Sequence, residues 1–433
     1  MSHFVRTRQR SHAVPECRPA RSRRIPKMTG LVAAVTAFAL IGAACGSSNS
    51  SGSGSTTTSN TASGGLPSQY KIGVNMALTG ATAPYDQPAL AGLKMAVAEI
   101  NAKGGIGGKS KIVLTIMNDR SDAGQSAADA QTLAAQGINF MMLPGDPAVS
   151  IPAGTIAQAH HIPMMTCLAS LPTQRKAIGP YFFGGESADN VVAAAEALYA
   201  VNHGLKTAYT IAGPDTAYTQ NYPRYFAEAF KADGGKIVGT DTYRSGETDF
   251  SPQIQKIRSL NPAPAVIESP MYEPELPAFI KQLKAAGVKS TLLLSDASDT
   301  PTIEQLGQLI NGQTFSTLGF PTPGSKLASY YVRFKQRYGS QPPNVLAAVC
   351  YDSMYLIAHG VAMAGTTDPA KVVAALDSIK HYNQGVLGDT TYANGFPLRP
   401  IAMQKWVWNN QTHSVHDQFL AFVTPTASQV PAP

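Results

Sequence analysis

Cysteine is scarce in this chain: four residues in 433, at positions 17, 45, 167 and 350. Two lie near the N-terminus, and Cys167 and Cys350 stand far apart. That pattern excludes a disulfide framework and a CxxC metal site. Both body cysteines sit in apolar runs (MMTCLA and AAVCY), so buried thiols are the default. A single bridge is the alternative that an oxidising compartment allows. Catalytic signatures are lacking too. No GxGxxG follows a strand pattern, and neither HExxH nor GxSxG occurs. The segment GGIGGKS at 104–110 falls short of a phosphate loop, because the pattern needs glycine where Lys103 stands. It also follows a helix pattern and precedes a strand pattern, the reverse of the required order, so it reads as a turn. The nine histidines are scattered, and His413 and His416 have no acid or cysteine at metal-ligand spacing. These absences argue for a non-enzyme with neither cofactor nor metal.

A strong charge of one sign is missing from the body. The formal net charge of +7 would suggest a nucleic-acid or membrane-surface partner. Its location removes that suggestion. Of 34 basic and 27 acidic residues, residues 1–44 hold eight and one, which leaves 26 of each sign. No nucleic-acid partner is expected.

Long apolar runs are absent but for Leu31–Ala44, which has no charge. It is shorter than the roughly 20 residues of a relaxed bilayer span. An Arg-rich stretch, a short apolar run and small residues (Gly42-Ala43-Ala44) together make a secretory signal over 1–44. An uncut anchor helix is the alternative. Ser22-Arg23-Arg24 hints at twin-arginine export, although Pro26 stands where that signal favours an aromatic residue. Cys45 then follows the small residues, an arrangement that resembles a bacterial lipoprotein signal. The resemblance implies that Cys45 becomes the lipid-modified first residue, anchoring the protein to the outer face of the cell membrane. Gly42 departs from the Leu usual three places before that cysteine. From 45 to 68 the chain is mostly Ser, Thr, Gly and Asn and buries too little to fold, so it reads as a flexible tether.

Apolar strand-like runs recur beyond it: Lys71–Leu78, Ile112–Asn118, Phe140–Leu143, Ile162–Cys167, Thr207–Ala212, Lys236–Tyr243, Ala265–Ser269 and Thr291–Asp296. Helical patterns lie between them. Leu90, Leu93, Val97 and Ile100 share one helix face, which Gly104-Gly105 ends. Val192–Val201, Ile280–Ala286 and Leu346–Val361 read as helices as well. Alternation of this kind predicts an α/β fold of βαβ units with parallel sheets. About 350 residues exceed one such core, so two lobes are expected. Around Asn383–Trp408, Gly, Asn and Pro punctuate short apolar pieces, which predicts small strands and loops.

The stretch from Tyr70 to Asp122 carries, in order, YKIG, ALTG, AVAEIN, NAKGGIGG and a strand ending in NDRSD. Further on come IPMMT at 162–166, Asp215–Tyr218, GETDFS at 246–251 and Tyr351-Asp352. This ordered series resembles the branched-chain amino acid (Leu/Ile/Val-binding) type of periplasmic binding protein, over most of the body. The resemblance implies two Rossmann-like lobes joined by a three-crossing hinge, closing on ligand as a clamp. The crossings are expected near Glu186, Gly319 and Gly388. Lobe 1 is then 70–186 with 319–387, lobe 2 is 187–318 with 388–423, and 424–433 is a tail. It also implies a monomeric solute-binding protein of an ABC importer, with a small-molecule ligand and a membrane permease as partners. A ligand-sensing receptor of the same fold, acting on a signalling partner, is the alternative.

In α/β lobes ligands sit beyond the carboxyl ends of strands. By that rule and the resemblance, the expected ligand-binding residues are Tyr85, Asp146, Leu168, Ser170, Tyr218, Tyr272 and Asp296. Tyr85 is expected in the loop after the first strand. Leu168 to Ser170 occupy the place where the family grips a ligand carboxylate. Tyr218 and Tyr272 would wall the pocket from lobe 2, and Asp296 stands near the family's acidic group for a ligand ammonium. Each also has a plainer reading: packing for the tyrosines, a turn for Ser170 and Asp146, a helix cap for Asp296. Asp146-Pro147 departs from the family's hydroxyl donor. An Asp there repels a carboxylate, so an amide, polyol or cationic ligand would fit better than an α-amino acid.

Overall fold

The computed structural model describes residues 65–426 and 428–433. The predicted signal 1–44, Cys45 and the tether as far as residue 64 lie outside the described residues. Five strands form a first sheet: β1 (Gln69–Met76), β2 (Lys111–Asn118), β3 (Phe140–Leu143), β4 (Met164–Thr166) and β5 (Phe182–Gly184). Their order is β2-β1-β3-β4-β5 and all are parallel. The second sheet takes β6 (Thr207–Ala212), β7 (Lys236–Thr242), β8 (Val266–Ser269), β9 (Thr291–Leu294) and β10 (Thr314–Thr317). A two-strand ribbon, β11 (Thr391–Ala393) with β12 (Phe396–Leu398), stands apart. The long hairpin β13 (Ile401–Asn409) and β14 (Ser414–Val423) then completes the second sheet. Its order is β14-β13-β10-β9-β8-β6-β7, parallel except for the antiparallel hairpin added at β10.

The strands are apolar because helices cover parallel sheets on both faces. Tyr70, Ile72, Val74 and Met76 of β1 are all fully buried. Helix Ala83–Ala102 and helix Leu346–Ala364 share their core. These two helices touch backbone to backbone. A Cβ on Gly92 would lie 1.7 Å from the carbonyl oxygen of Ala347, so only glycine fits there. Helix Leu346–Ala364 is long and apolar enough to cross a membrane, but it is largely buried within the protein and serves as a core helix. Gly104 and Gly105, both at positive φ, follow the first helix at its predicted end. In the second sheet Ile211, Phe250, Ile267, Phe279 and Leu294 form a separate core. There Phe315 stacks on Trp406 at 4.1 Å and 16°.

The predicted strands match within two residues, whereas helices Asp189–Asn202, Glu275–Ala285 and Leu346–Ala364 each extend three to five residues beyond the predicted range at one end. β5 and β10 are additional: each is too short to show alternation. One expectation is corrected outright. Cys167 and Cys350 are not separate thiols but form a disulfide, with Cα atoms 5.1 Å apart. Cys167 directly follows β4, and Cys350 lies in the first turns of the core helix, so two distant apolar runs meet in one core. Sequence distance alone carries no sign of that meeting.

Candidate functional site

All seven predicted residues follow the carboxyl end of a parallel strand. Tyr85 comes after β1, Asp146 after β3, and Leu168 and Ser170 after β4. Tyr218 comes after β6, Tyr272 after β8 and Asp296 after β9. The structure brings the first two and the last three into mutual electrostatic reach, and sets Leu168 and Ser170 beside them along the first sheet.

Tyr218 stands in the first turn of helix Ala217–Ala232, which Thr216 caps through the Thr219 N–H. Its hydroxyl donates to Ser295 Oγ at 2.7 Å and lies 3.2 Å from Asp296 Oδ1. Its ring lies 6.4 Å from that of Tyr272 and 5.5 Å from that of Tyr222. Asp296 opens a one-turn helix, Asp296–Ser298. Burial raises its carboxyl to about 6, offset by Tyr218 and by backbone N–H groups. The helix-cap reading of Asp296 fails, because Thr300 caps the helix that starts at Pro301.

Tyr85 is corrected from a loop residue to one in the first turn of helix Ala83–Ala102. Pro84 fixes φ at the helix start, which pulls the turn in earlier than the loop pattern suggests. Its hydroxyl is buried without a hydrogen-bond partner among the described residues. Burial holds its phenol un-ionised, helped by Glu273, Tyr272 and Asp296. Tyr85 follows a strand of the first sheet and these three follow strands of the second, so the two sets of strand ends face one another here.

Asp146 combines two readings. It caps helix Pro147–Ala159, its Oδ1 accepting the Ala148 N–H at 2.8 Å. It also lies near enough to Tyr272 to raise that phenol, after burial and an opposing bond from Thr216. Buried Asp86, pushed up to about 7 by desolvation, stands near Asp119 and Asp146. Leu168 is half-buried against Gly145, where an added Cβ would meet the Leu168 Cβ at 2.9 Å. Ser170 is half-buried, and its carbonyl accepts the Asp189 N–H at 2.7 Å.

Sequence reasoning missed most of the acids around this place. Glu186 is 3 % exposed and Asp189 is 1 % exposed. Burial, then Asp296 and Asp189, raise Glu186 well above the carboxylate range, with Arg399 opposing. Burial raises Asp189 to about 8, with the Ser170 hydroxyl opposing. Glu273, beside Tyr272, accepts a hydrogen bond from Thr300. A usable signal was the acid pair in GESAD directly after the FFG strand, where the chain leaves the first sheet. Two other cavities, of about 600 and 350 Å³, open beside Arg333 and Tyr351 and beside Phe320 and Gly388; neither contains a predicted residue.

Residues 69–412 match the model of the periplasmic binding protein family. A Leu/Ile/Val-binding protein homolog 1 of Brucella melitensis is 26% identical over 340 residues, which are 77% of this chain and 90% of that one. Leu/Ile/Val-binding protein BraC3 of Rhizobium johnstonii is 26% identical over 341 residues, 78% of this chain and 91% of that one. Among solved structures, a leucine-binding protein of Thermotoga maritima superposes with a TM-score of 0.72 at 23% identity. The superposition covers 82% of this chain and 99% of that one. A solute-binding protein of R. palustris in complex with benzoate gives 0.69 at 19% identity, over 84% and 99%.

Proposed function

Because the chain belongs to the periplasmic binding proteins, of the Leu/Ile/Val-binding type, we propose that it is the extracytoplasmic solute-binding protein of an ABC importer. It takes a small polar ligand between two lobes, 70–186 with 319–387 and 187–318 with 388–423, and hands it to a membrane permease. It works as a monomer and performs no chemistry on the ligand. Cys45 carries the lipid that anchors it.

The observation that carries this reading is the convergence at Asp296. Residues after strands of both sheets, Tyr85 on one side and Tyr218, Tyr272 and Asp296 on the other, share one electrostatic neighbourhood. A ligand held there contacts both lobes, so it stabilises the closed form over the open one. Closure also strips water from the polar contacts and strengthens them.

Changing Tyr85 or Tyr218 to Ala is expected to weaken binding by about 1–3 kcal/mol, roughly 5- to 150-fold, because each ring covers one side of the ligand. Calorimetric titration of each folded variant with a ligand found by thermal shift measures it. Unchanged affinity would remove that tyrosine from the site. For the importer itself, uptake of that ligand by cells lacking this protein should be lost and return with the wild-type chain. Undiminished uptake would sink the transport role.

A further inference from the structure

Beside Ser170 the protein sets carboxyl groups of its own. Ser170 is engaged with Asp189, through its carbonyl on the Asp189 N–H at 2.7 Å and through its hydroxyl toward the side chain. One carboxyl oxygen of Asp189 has no hydrogen-bond partner among the described residues, though the residue is 1 % exposed. Glu186 is 3 % exposed, and burial, then Asp296 and Asp189, raise its carboxyl well above the usual range. Both lie within electrostatic reach of Asp296. Glu273 and Asp146 add negative charge near Tyr85 and Tyr272.

Positive charge to balance them is short. Among the described residues, Arg399 is the basic group that reaches Glu186. Two of its nitrogens are committed elsewhere, Nε donating to Thr390 Oγ1 at 2.8 Å and Nη1 to the Gly185 carbonyl at 3.1 Å, while Nη2 has no hydrogen-bond partner among the described residues. Its Nη2 stands 3.9 Å from Asp352. Buried carboxyls without partners are costly when ionised, so in the empty site they keep their protons, and a bound cation would let them ionise. No group of three or more metal-ligating side chains occurs among the described residues, which leaves an organic cation. The walls suit one. Tyr218 and Tyr272 present rings 6.4 Å apart, and Tyr85 brings a third with a buried, unpartnered hydroxyl. Aromatic faces attract ammonium groups most strongly where water is excluded.

Resting on the solute-binding reading above, we propose that the cleft takes an organic ammonium compound that bears no carboxylate, walled by Tyr85, Tyr218 and Tyr272 and neutralised by Asp296, Glu186 and Asp189. A cation favours the ionised carboxyls, so its binding releases protons. Affinity therefore rises with pH through the range in which the empty site titrates, from about 6 at Asp296 to about 8 at Asp189.

The test uses the purified protein and five probes in calorimetric titration: choline, its uncharged isostere 3,3-dimethylbutan-1-ol, putrescine as a second cation, leucine and benzoate. Choline or putrescine should bind at least about tenfold more tightly than the neutral isostere. That affinity should increase between pH 6 and 8, by up to about tenfold per pH unit for each proton released. Asp296→Asn and Glu186→Gln should each weaken cation binding and reduce the pH dependence. Both replace a buried acid by an amide of its shape, and thermal unfolding verifies that they fold. Tight binding of leucine or benzoate with no binding of either cation overturns this proposal and leaves the solute-binding reading standing. Cation affinity that is flat with pH and unaltered in both variants overturns the assigned acids. No binding by any probe contradicts the ligand class and counts against the reading beneath it.

Discussion

The folded protein loses stability as pH rises from about 5 to about 8, and Glu268→Gln removes part of that loss. Glu268 on β8 and Glu196 on helix Asp189–Asn202 are both fully buried in the second-sheet half of the molecule. Both oxygens of Glu268 lack a hydrogen-bond partner among the described residues. Burial, then Glu196, holds its carboxyl well above the carboxylate range. Burial raises Glu196 to about 8, against the hydrogen bond of 2.8 Å that the Tyr222 hydroxyl donates to it. In each case the folded value exceeds the unfolded one. Below the unfolded value, near 4.3, both states are protonated and stability is complete. Above it the unfolded chain ionises while the folded chain keeps its proton. Stability then falls by up to about 1.4 kcal/mol per pH unit for each such carboxyl, until the folded value is reached. Glu268→Gln should therefore raise stability at pH 7.5 and lessen the slope between pH 5 and 8, by up to about 1.4 kcal/mol per pH unit. Urea midpoints across that range measure both. Equal slopes for variant and wild type would show that Glu268 ionises as freely in the fold as outside it.

Removing the disulfide should cost about 2–5 kcal/mol. Cys167→Ser with Cys350→Ser opens a link between the end of β4 and the core helix. Because Cys167 directly precedes Leu168, the loss should also weaken ligand binding, through looser placement of residues 168–170. Denaturant midpoints of the double variant and of wild type with and without reductant check the first effect, and titration of the folded variant checks the second. A midpoint unmoved by reductant would mean that the two thiols are unpaired in solution. The bridge suits an exported protein, since disulfides persist in oxidising compartments.

Much of the architecture is legible in the sequence, for physical reasons. β3 (FMML) and β9 (TLLL) are nearly continuous apolar runs because helices cover them on both faces, and such runs stand out against their polar surroundings. β5 and β10 are three and four residues long and carry no period to read. The site was legible through one rule. Strand ends can be counted, and together with the family resemblance that makes Tyr218, Tyr272 and Asp296 candidates. Glu186, Asp189 and Glu273 were not, because their meaning depends on which acids fold together. A buried acid and a solvated one look the same in a sequence. Whether Cys167 and Cys350 pair stayed open in the sequence on the same ground: pairing is a fact of tertiary packing.

The central claim is that a small molecule binds between the lobes and closes them. Small-angle scattering of the purified protein, with and without a saturating ligand found by a thermal-shift screen of amines, amino acids, amides, polyols and aromatic acids, tests it most directly. The account predicts a compound that adds roughly 2.7 kcal/mol at about 100 times its Kd and also shrinks the radius of gyration. A compound that stabilises the protein while the radius stays unchanged, in wild type and in Tyr85→Ala alike, would contradict closure on a ligand held between the lobes.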